Sequence, residues 1–121
     1  MTKSISSGTK GEEIATRHLL ASGYQVIERN WRYRHYEIDI IAIDKKELVI
    51  VEVRSRAEAT LVPAADTVIR KKQRFLIEAA NAYINQTNAL LEVRFDIITV
   101  VFKKDQFVIE HIPNAFYPIV K

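Results

Sequence analysis

The chain has 121 residues, a formal net charge of +3 and no cysteine. That length suits a single domain (1–121) with one core, and the lack of cysteine excludes disulfides and cysteine-ligated zinc. No apolar run reaches membrane-spanning length and the N-terminus lacks the apolar segment of a signal peptide, so no membrane partner and a cytoplasmic location are expected.

Residues 1–7 are small and polar and read as a flexible arm. A helix is expected from about Lys10 to Ser22, with Gly23 as its stop and Ile14, Ala15, Leu19 and Leu20 as its buried stripe. Thr9 and Glu12 have the spacing of a capping box. Tyr24 to Trp31 reads as a strand. It runs into a segment where Arg29, Arg32, Arg34 and His35 interleave with Trp31, Tyr33 and Tyr36.

Glu37 to Arg54 then reads as two strands joined at Lys45-Lys46. Ile38, Ile40, Ala42, Val49, Val51 and Val53 alternate on one face, and Ile41, Ile43, Leu48 and Ile50 lie on the other. With that tip, Asp39 is opposed to Glu52 and Glu37 to Arg54. Opposed Cβ atoms stand roughly 4.5–5.5 Å apart and like charges so placed repel. Two carboxylates in a hairpin covered on both sides therefore call for a cation, either a metal ion or an arginine.

Ser55 to Pro63 has no period and reads as a loop beyond the charged strand end. A second helix is expected from about Ala64 to Asn85, on Val68, Phe75, Leu76, Ala79, Ala80, Tyr83 and Ile84. Arg70, Lys71, Lys72 and Arg74 are clustered in its first half. Positive charge there opposes the helix dipole. Leu91 to Lys103 and Phe107 to Ile112 read as a closing strand pair, and the apolar tail as packing on the body. Helix, three strands, helix and two strands make an α/β fold, a three-layer sandwich with a mixed five-stranded sheet.

Two readings of the charged pair stand side by side. In one, Asp39 and Glu52 hold Mg²⁺ or Mn²⁺, hard ions that take oxygen ligands. In the other, Arg54 and Arg56 neutralise Glu37, Asp39 and Glu52. Glu12 is either a helix cap or a third acid. The basic-aromatic run is either solvated charge over half-buried rings or a surface that tracks phosphates and stacks bases. His18, His35 and His111 have no ligand spacing among them, and no serine stands in a nucleophile motif.

Gly8-Thr9-Lys10-Gly11-Glu12, Gly23-Tyr24, Arg29-Asn30-Trp31-Arg32, Glu37-Ile38-Asp39-Ile40-Ile41-Ala42, Val51-Glu52-Val53-Arg54-Ser55-Arg56 and Arg94-Phe95-Asp96 together resemble the YraN-like family. These are small bacterial proteins grouped with the PD-(D/E)XK nuclease superfamily and similar to archaeal Holliday-junction resolvases. The resemblance spans roughly Gly8 to Val101 and implies a restriction-endonuclease-like fold and metal-dependent phosphodiester hydrolysis on nucleic acid, DNA above all. It further implies that Asp39 and Glu52 are metal ligands together with the main-chain carbonyl of Val53. Glu12 would then be a helix-borne acid at the site, with Arg54 completing the catalytic set. Arg32, Arg34, Arg56, Lys71, Lys72 and Gln73 are the expected nucleic-acid contacts, and a homodimer is compatible with this reading.

Two departures from the family pattern stand out. Arg54 occupies a position where the family has lysine, and Tyr36 one where it usually has glycine. Arginine keeps the charge but loses the lysine's compact donor and its ability to shift pKa. The alternative is thus a nucleic-acid-binding module that keeps the fold and has lost turnover.

Overall fold

The computed structural model describes residues 7–58 and 70–116, with side chains from Lys10 onward. Helix α1 covers Ser7–Ala21, strands β1, β2 and β3 cover Gln25–Tyr33, Tyr36–Asp44 and Glu47–Ala57, helix α2 covers Arg70–Thr87, and strands β4 and β5 cover Glu92–Phe102 and Phe107–Phe116. The five strands form one sheet in the order β1-β2-β3-β4-β5. The β3–β4 pair is parallel and the others antiparallel, so the sheet is mixed as expected.

The two helices cover opposite sheet faces. Ala15 and Leu19 of α1 pack on Ile40, Ala42, Val49, Val51, Ile98 and Val100. Leu76, Ala79, Ala80 and Tyr83 of α2 pack on Ile38, Ile41, Leu48, Ile50, Phe95 and Ile97. Each fully buried aliphatic side chain contributes about 1.5–3 kcal/mol relative to exposure, and the sandwich puts such residues on both sides of β2 and β3.

Helix α1 ends as expected. Gly23 adopts φ 92°, its N–H donates to Leu20 and the Tyr24 N–H donates to Leu19, a Schellman closure that needs the left-handed residue. The other end differs. The helix already includes Thr9, so Thr9 is no cap and Glu12 lies past the first turn.

Ser55, Arg56 and Ala57, expected in a loop, extend β3 and pair with Val100, Val101 and Phe102. A parallel partner strand supplies backbone hydrogen bonds that no side-chain period announces. The rest of that loop, the start of the second helix with Val68, the arm at 1–6 and the tail beyond Phe116 lie outside the described residues. Within the tail, Phe116 is buried and stacks on Phe95 at 4.9 Å, extending β5 four residues past the expected end. No described helix is long and apolar enough to cross a membrane.

Candidate metal site and nucleic-acid interface

The hairpin register follows the expected tip. Asp44 opposes Glu47, Ile43 opposes Leu48, Ala42 opposes Val49, Ile41 opposes Ile50 and Ile40 opposes Val51. The ladder stops there. Ile38 packs on the α2 side with Ile41, not beside Ile40 on the α1 side, so β2 bends at Asp39. Its neighbour β1 bends at the same level, where Asn30, between the pairs Arg29–Ile40 and Trp31–Ile38, takes a left-handed φ of 52°. Asparagine tolerates that conformation better than most residues. Side-chain alternation alone does not reveal such a bend; it places Ile38 on the α1 face, whereas the structure places it on the α2 face.

The bend changes what Asp39 does. The main-chain N–H of Val53 donates to Asp39 Oδ2 at 2.8 Å. The carboxyl also hydrogen-bonds to Glu52, which continues the Leu48–Ile50 row to the end of the α2 face. Glu52 is only 4% exposed, and its buried Oε1 has no hydrogen-bond partner among the described residues. Burial and the charge of Glu52 push the Asp39 carboxyl up to about 7, against the pull of the Val53 N–H and of Lys72. Burial likewise raises Glu52, with Lys72 and Arg54 working the other way.

Two cations meet this pair. Arg54 Nη1 lies 3.7 Å and Lys72 Nζ 3.8 Å from Glu52 Oε2. Lys72 stands one turn before Leu76 on the stripe by which α2 meets the sheet, so helical spacing directs its stem toward Glu52. Of the two arginines that could neutralise the acids, Arg54 reaches Glu52 and Arg56 pairs with an acid of another strand. Arg56 engages Glu110 of β5 at 3.6 Å, and Glu37, expected opposite Arg54, meets Arg32 at 3.7 Å.

Glu12 approaches from the α1 side. Gly11 lets the helix lie close against β3, since a Cβ there would meet the Ser55 side chain and Val100. The Glu12 carboxyl hydrogen-bonds to Asn30. Burial first and then the charge of Asp39 raise its pKa. It is thus an acid beside the pair, yet among the described residues no three acids or histidines are grouped closely enough to share an ion.

The residues present nonetheless suit a hard divalent ion. Mg²⁺ is commonly bound through one or two carboxylates with the remaining positions left to water and substrate. The orphaned, buried Glu52 Oε1 beside a second carboxylate is a donor set of that kind.

The remaining expected contacts divide into groups. Arg32 and Arg34 lie at the β1–β2 turn, where Arg34 (φ 58°) carries its guanidinium over the Tyr33 ring at 5.2 Å. Lys71 holds its ammonium over Phe75 at 5.8 Å, and Gln73 is half-buried on α2. These share the end of the sheet where β2 begins, whereas Arg56 points its charge to β5.

A second polar cluster, for which the sequence carries no spacing motif, lies around Arg94 and Asp96. Arg94 donates to both oxygens of fully buried Asp96, to Asp44 and Glu47 at the hairpin tip, and to the Tyr24 hydroxyl. Asp96 also meets His111 Nε2 at 2.8 Å and accepts the Asn114 N–H, and His111 Nδ1 lies 3.0 Å from His18 Nε2. Two histidines read as unrelated are therefore in contact. They are 93 positions apart, and only the β4–β5 pairing and the α1 packing join them. The string Arg94-Phe95-Asp96, two opposite charges about an aromatic ring and all three buried, is the one sign of the cluster in the sequence.

Comparison with known proteins agrees with the motifs. The model of the uncharacterised protein family UPF0102 matches residues 11–100. A UPF0102 protein of Parabacteroides distasonis is 44% identical over 117 residues, covering 97% of each chain. Those of Phocaeicola vulgatus and Flavobacterium johnsoniae are 42% and 41% identical, covering 92% and 91% of this chain and 92% and 93% of their own. The chain belongs to the UPF0102 family, the YraN-like group its motifs resemble.

Proposed function

We propose that the protein is a metal-dependent phosphodiesterase of the PD-(D/E)XK, restriction-endonuclease-like type that acts on DNA. The observation that carries this reading is the Asp39–Glu52 pair. Two hydrogen-bonded carboxyls sit at a bent sheet end, one of them with a buried oxygen that has no partner among the described residues, and cations stand on one side. A purely structural cluster favours complete pairing of each acid, because an unpaired buried oxygen costs about 1–3 kcal/mol. The location of both acids on adjacent central strands, with α1 bringing Glu12 and α2 bringing Lys72, supports the superfamily assignment.

Asp39 and Glu52 are the residues that would hold Mg²⁺ or Mn²⁺. A divalent ion so held supplies Lewis acidity, polarising a phosphoryl oxygen and making water a stronger acid. The chain's own groups do the rest. Lys72 and Arg54 stabilise negative charge that grows on the phosphate oxygens. Glu12, with its raised proton affinity, is placed to exchange a proton with water at the mouth of the pair. Arg54 cannot serve as the base, since guanidinium keeps its proton.

Calorimetric titration of Mn²⁺ and Mg²⁺ into the protein and into Asp39→Asn tests the ion. Heat in the parent that vanishes in the variant is expected; the same absent heat in both sinks the proposal. A second reading, a binding module without turnover, is favoured by Arg54 alone. Reproducible metal-dependent cutting of DNA that Glu52→Gln abolishes rules it out.

A further inference from the structure

Beside the carboxylate pair runs a line of aromatic rings drawn from two elements. Trp31 and Tyr33 stack at 6.4 Å and 4°, Tyr33 and Tyr36 at 6.5 Å and 30°, and Tyr36 and Phe75 of α2 at 5.0 Å and 30°. Trp31 and Tyr36 pack against the α2-side core and need no further explanation. Tyr33 and Phe75 are half-buried rings, and each carries a cation over it, Arg34 on Tyr33 and Lys71 on Phe75. Solvated charge over half-buried aromatics explains each cation singly, but it does not call for rings set in one line that crosses from β1 and β2 to α2.

We propose that the Tyr33–Tyr36–Phe75 strip is a stacking platform for unpaired nucleobases, which delivers a single-stranded DNA segment to the Asp39–Glu52 pair. Every base has a π-face, so rings in a row bind a strand without reading its sequence, and flanking cations take its phosphates. A duplex cannot use such a row, because its bases already stack on one another.

The strip leads to the site through both elements that form it. Tyr36 precedes Asp39 by three residues of β2, about 10 Å at the rise of a strand. On α2, Lys71 sits over Phe75 while the next residue, Lys72, reaches Glu52. The Tyr36 hydroxyl is hydrogen-bonded to Glu78, which fixes the middle ring. Arg34 and Lys71 are exposed, and the acid nearest the turn, Glu37, is matched by Arg32. The two ends of the strip, where Arg34 and Lys71 stand, therefore suit phosphates, while the Glu78 carboxylate lies at its middle on the Tyr36 hydroxyl.

This inference deepens the phosphodiesterase reading by naming the kind of DNA it takes, and its test is independent of that reading. Binding of a short single strand containing 2-aminopurine, and of the blunt duplex made from it, is measured in EDTA by anisotropy and by quenching of the 2-aminopurine. The single strand is expected to bind more tightly than the duplex and to be quenched. Phe75→Ala and Tyr33→Ala should each weaken single-strand binding by roughly five- to 150-fold and relieve quenching, whereas Phe75→Tyr should retain both.

Equal affinity of Phe75→Ala and parent for the single strand, with circular dichroism unchanged, overturns the platform, as does a preference for the duplex. Should Phe75→Ala not fold, Tyr33→Ala at the far end of the strip decides by the same readouts. Because no metal is present, absence of cutting or of metal heat elsewhere bears on the hydrolytic reading only, and absence of ring-dependent binding bears on the platform only.

Discussion

Asp39→Asn is expected to stabilise the protein at neutral and alkaline pH, the opposite of what most substitutions at a half-buried hydrogen-bonded residue do. The folded state holds the Asp39 carboxyl at about 7, well above the 3.8 of an ordinary aspartate, because burial and the charge of Glu52 disfavour ionisation. A raised folded pKa means that the native state binds the proton more tightly than the unfolded chain. The resulting stability is fully present below about pH 4 and is lost as pH rises through about 7. At 1.36 kcal/mol for each pKa unit the whole loss is on the order of 4 kcal/mol, a ceiling because Glu52 carries part of the same repulsion. Asparagine never ionises and keeps an oxygen for the Val53 N–H, so the variant avoids most of it. Urea unfolding in EDTA, followed by Trp31 fluorescence from about pH 4 to about pH 8.5, should show the variant gaining roughly 2–4 kcal/mol over the parent at the alkaline end and nothing at the acid end. Mg²⁺ at about a hundred times its dissociation constant should return some 2.7 kcal/mol to the parent alone. A gap that stays flat with pH, or a variant weaker than the parent at pH 8, would mean that Lys72 and Arg54 fully neutralise the pair, and the argument for an ion would go.

Lys72→Met removes an ammonium that lowers both carboxyl pKa values, so the alkaline loss of stability in the parent should move to higher pH and DNA cutting should fall by about 10²-fold; the pH series above and an initial-rate assay check the two effects. Arg54→Lys should raise metal-dependent cutting if the guanidinium is the handicap the family pattern suggests, and an unchanged rate would show that it is none. Arg94→Met strands buried Asp96 together with Asp44 and Glu47, and should cost about 3–5 kcal/mol in urea unfolding at pH 7. Asp96 is held below the ordinary carboxylate range by His111, Arg94 and the Asn114 N–H, although burial pulls the other way. Its contribution is therefore present above about pH 4 and fades as pH falls through its lowered value, so the Arg94→Met deficit should shrink in acid.

What was legible in the sequence follows from period and punctuation. Alternation in β2 and β3 and the polar Asp44-Lys45-Lys46-Glu47 break were enough for the hairpin register from Ile40–Val51 to the tip, and Gly23 was enough for the end of α1. The same rule failed at Asp39. Alternation assumes an unbroken pleat, and the bend that moves Ile38 to the α2 side depends on a left-handed Asn30 in another strand. Ser55 to Ala57 carried no period because β3 there is held by its parallel neighbour β4. The Arg94–Asp96–His111–His18 cluster depends on contacts across the whole chain, which spacing does not encode.

The departure at Arg54 takes on a different meaning once α2 is in place. What a lysine two residues beyond Glu52 offers is a compact, strongly hydrated point charge with rotatable donors beside the carboxylates. Arg54 is planar and larger, and among the described residues its ion pair is to Glu52. Lys72 brings an ammonium to the same Glu52 oxygen from the opposite layer, 3.8 Å away, and its charge also pulls on Asp39. The pair is thus served by both kinds of cation, one from the sheet and one from the helix. The position of a charge relative to the acids would matter to the proposed phosphate chemistry; the element that carries it would not. On that argument the substitution at position 54 relocates the lysine's electrostatic contribution without abolishing it, and the order of damage, Lys72→Met worse than Arg54→Met, measures how far the relocation has gone.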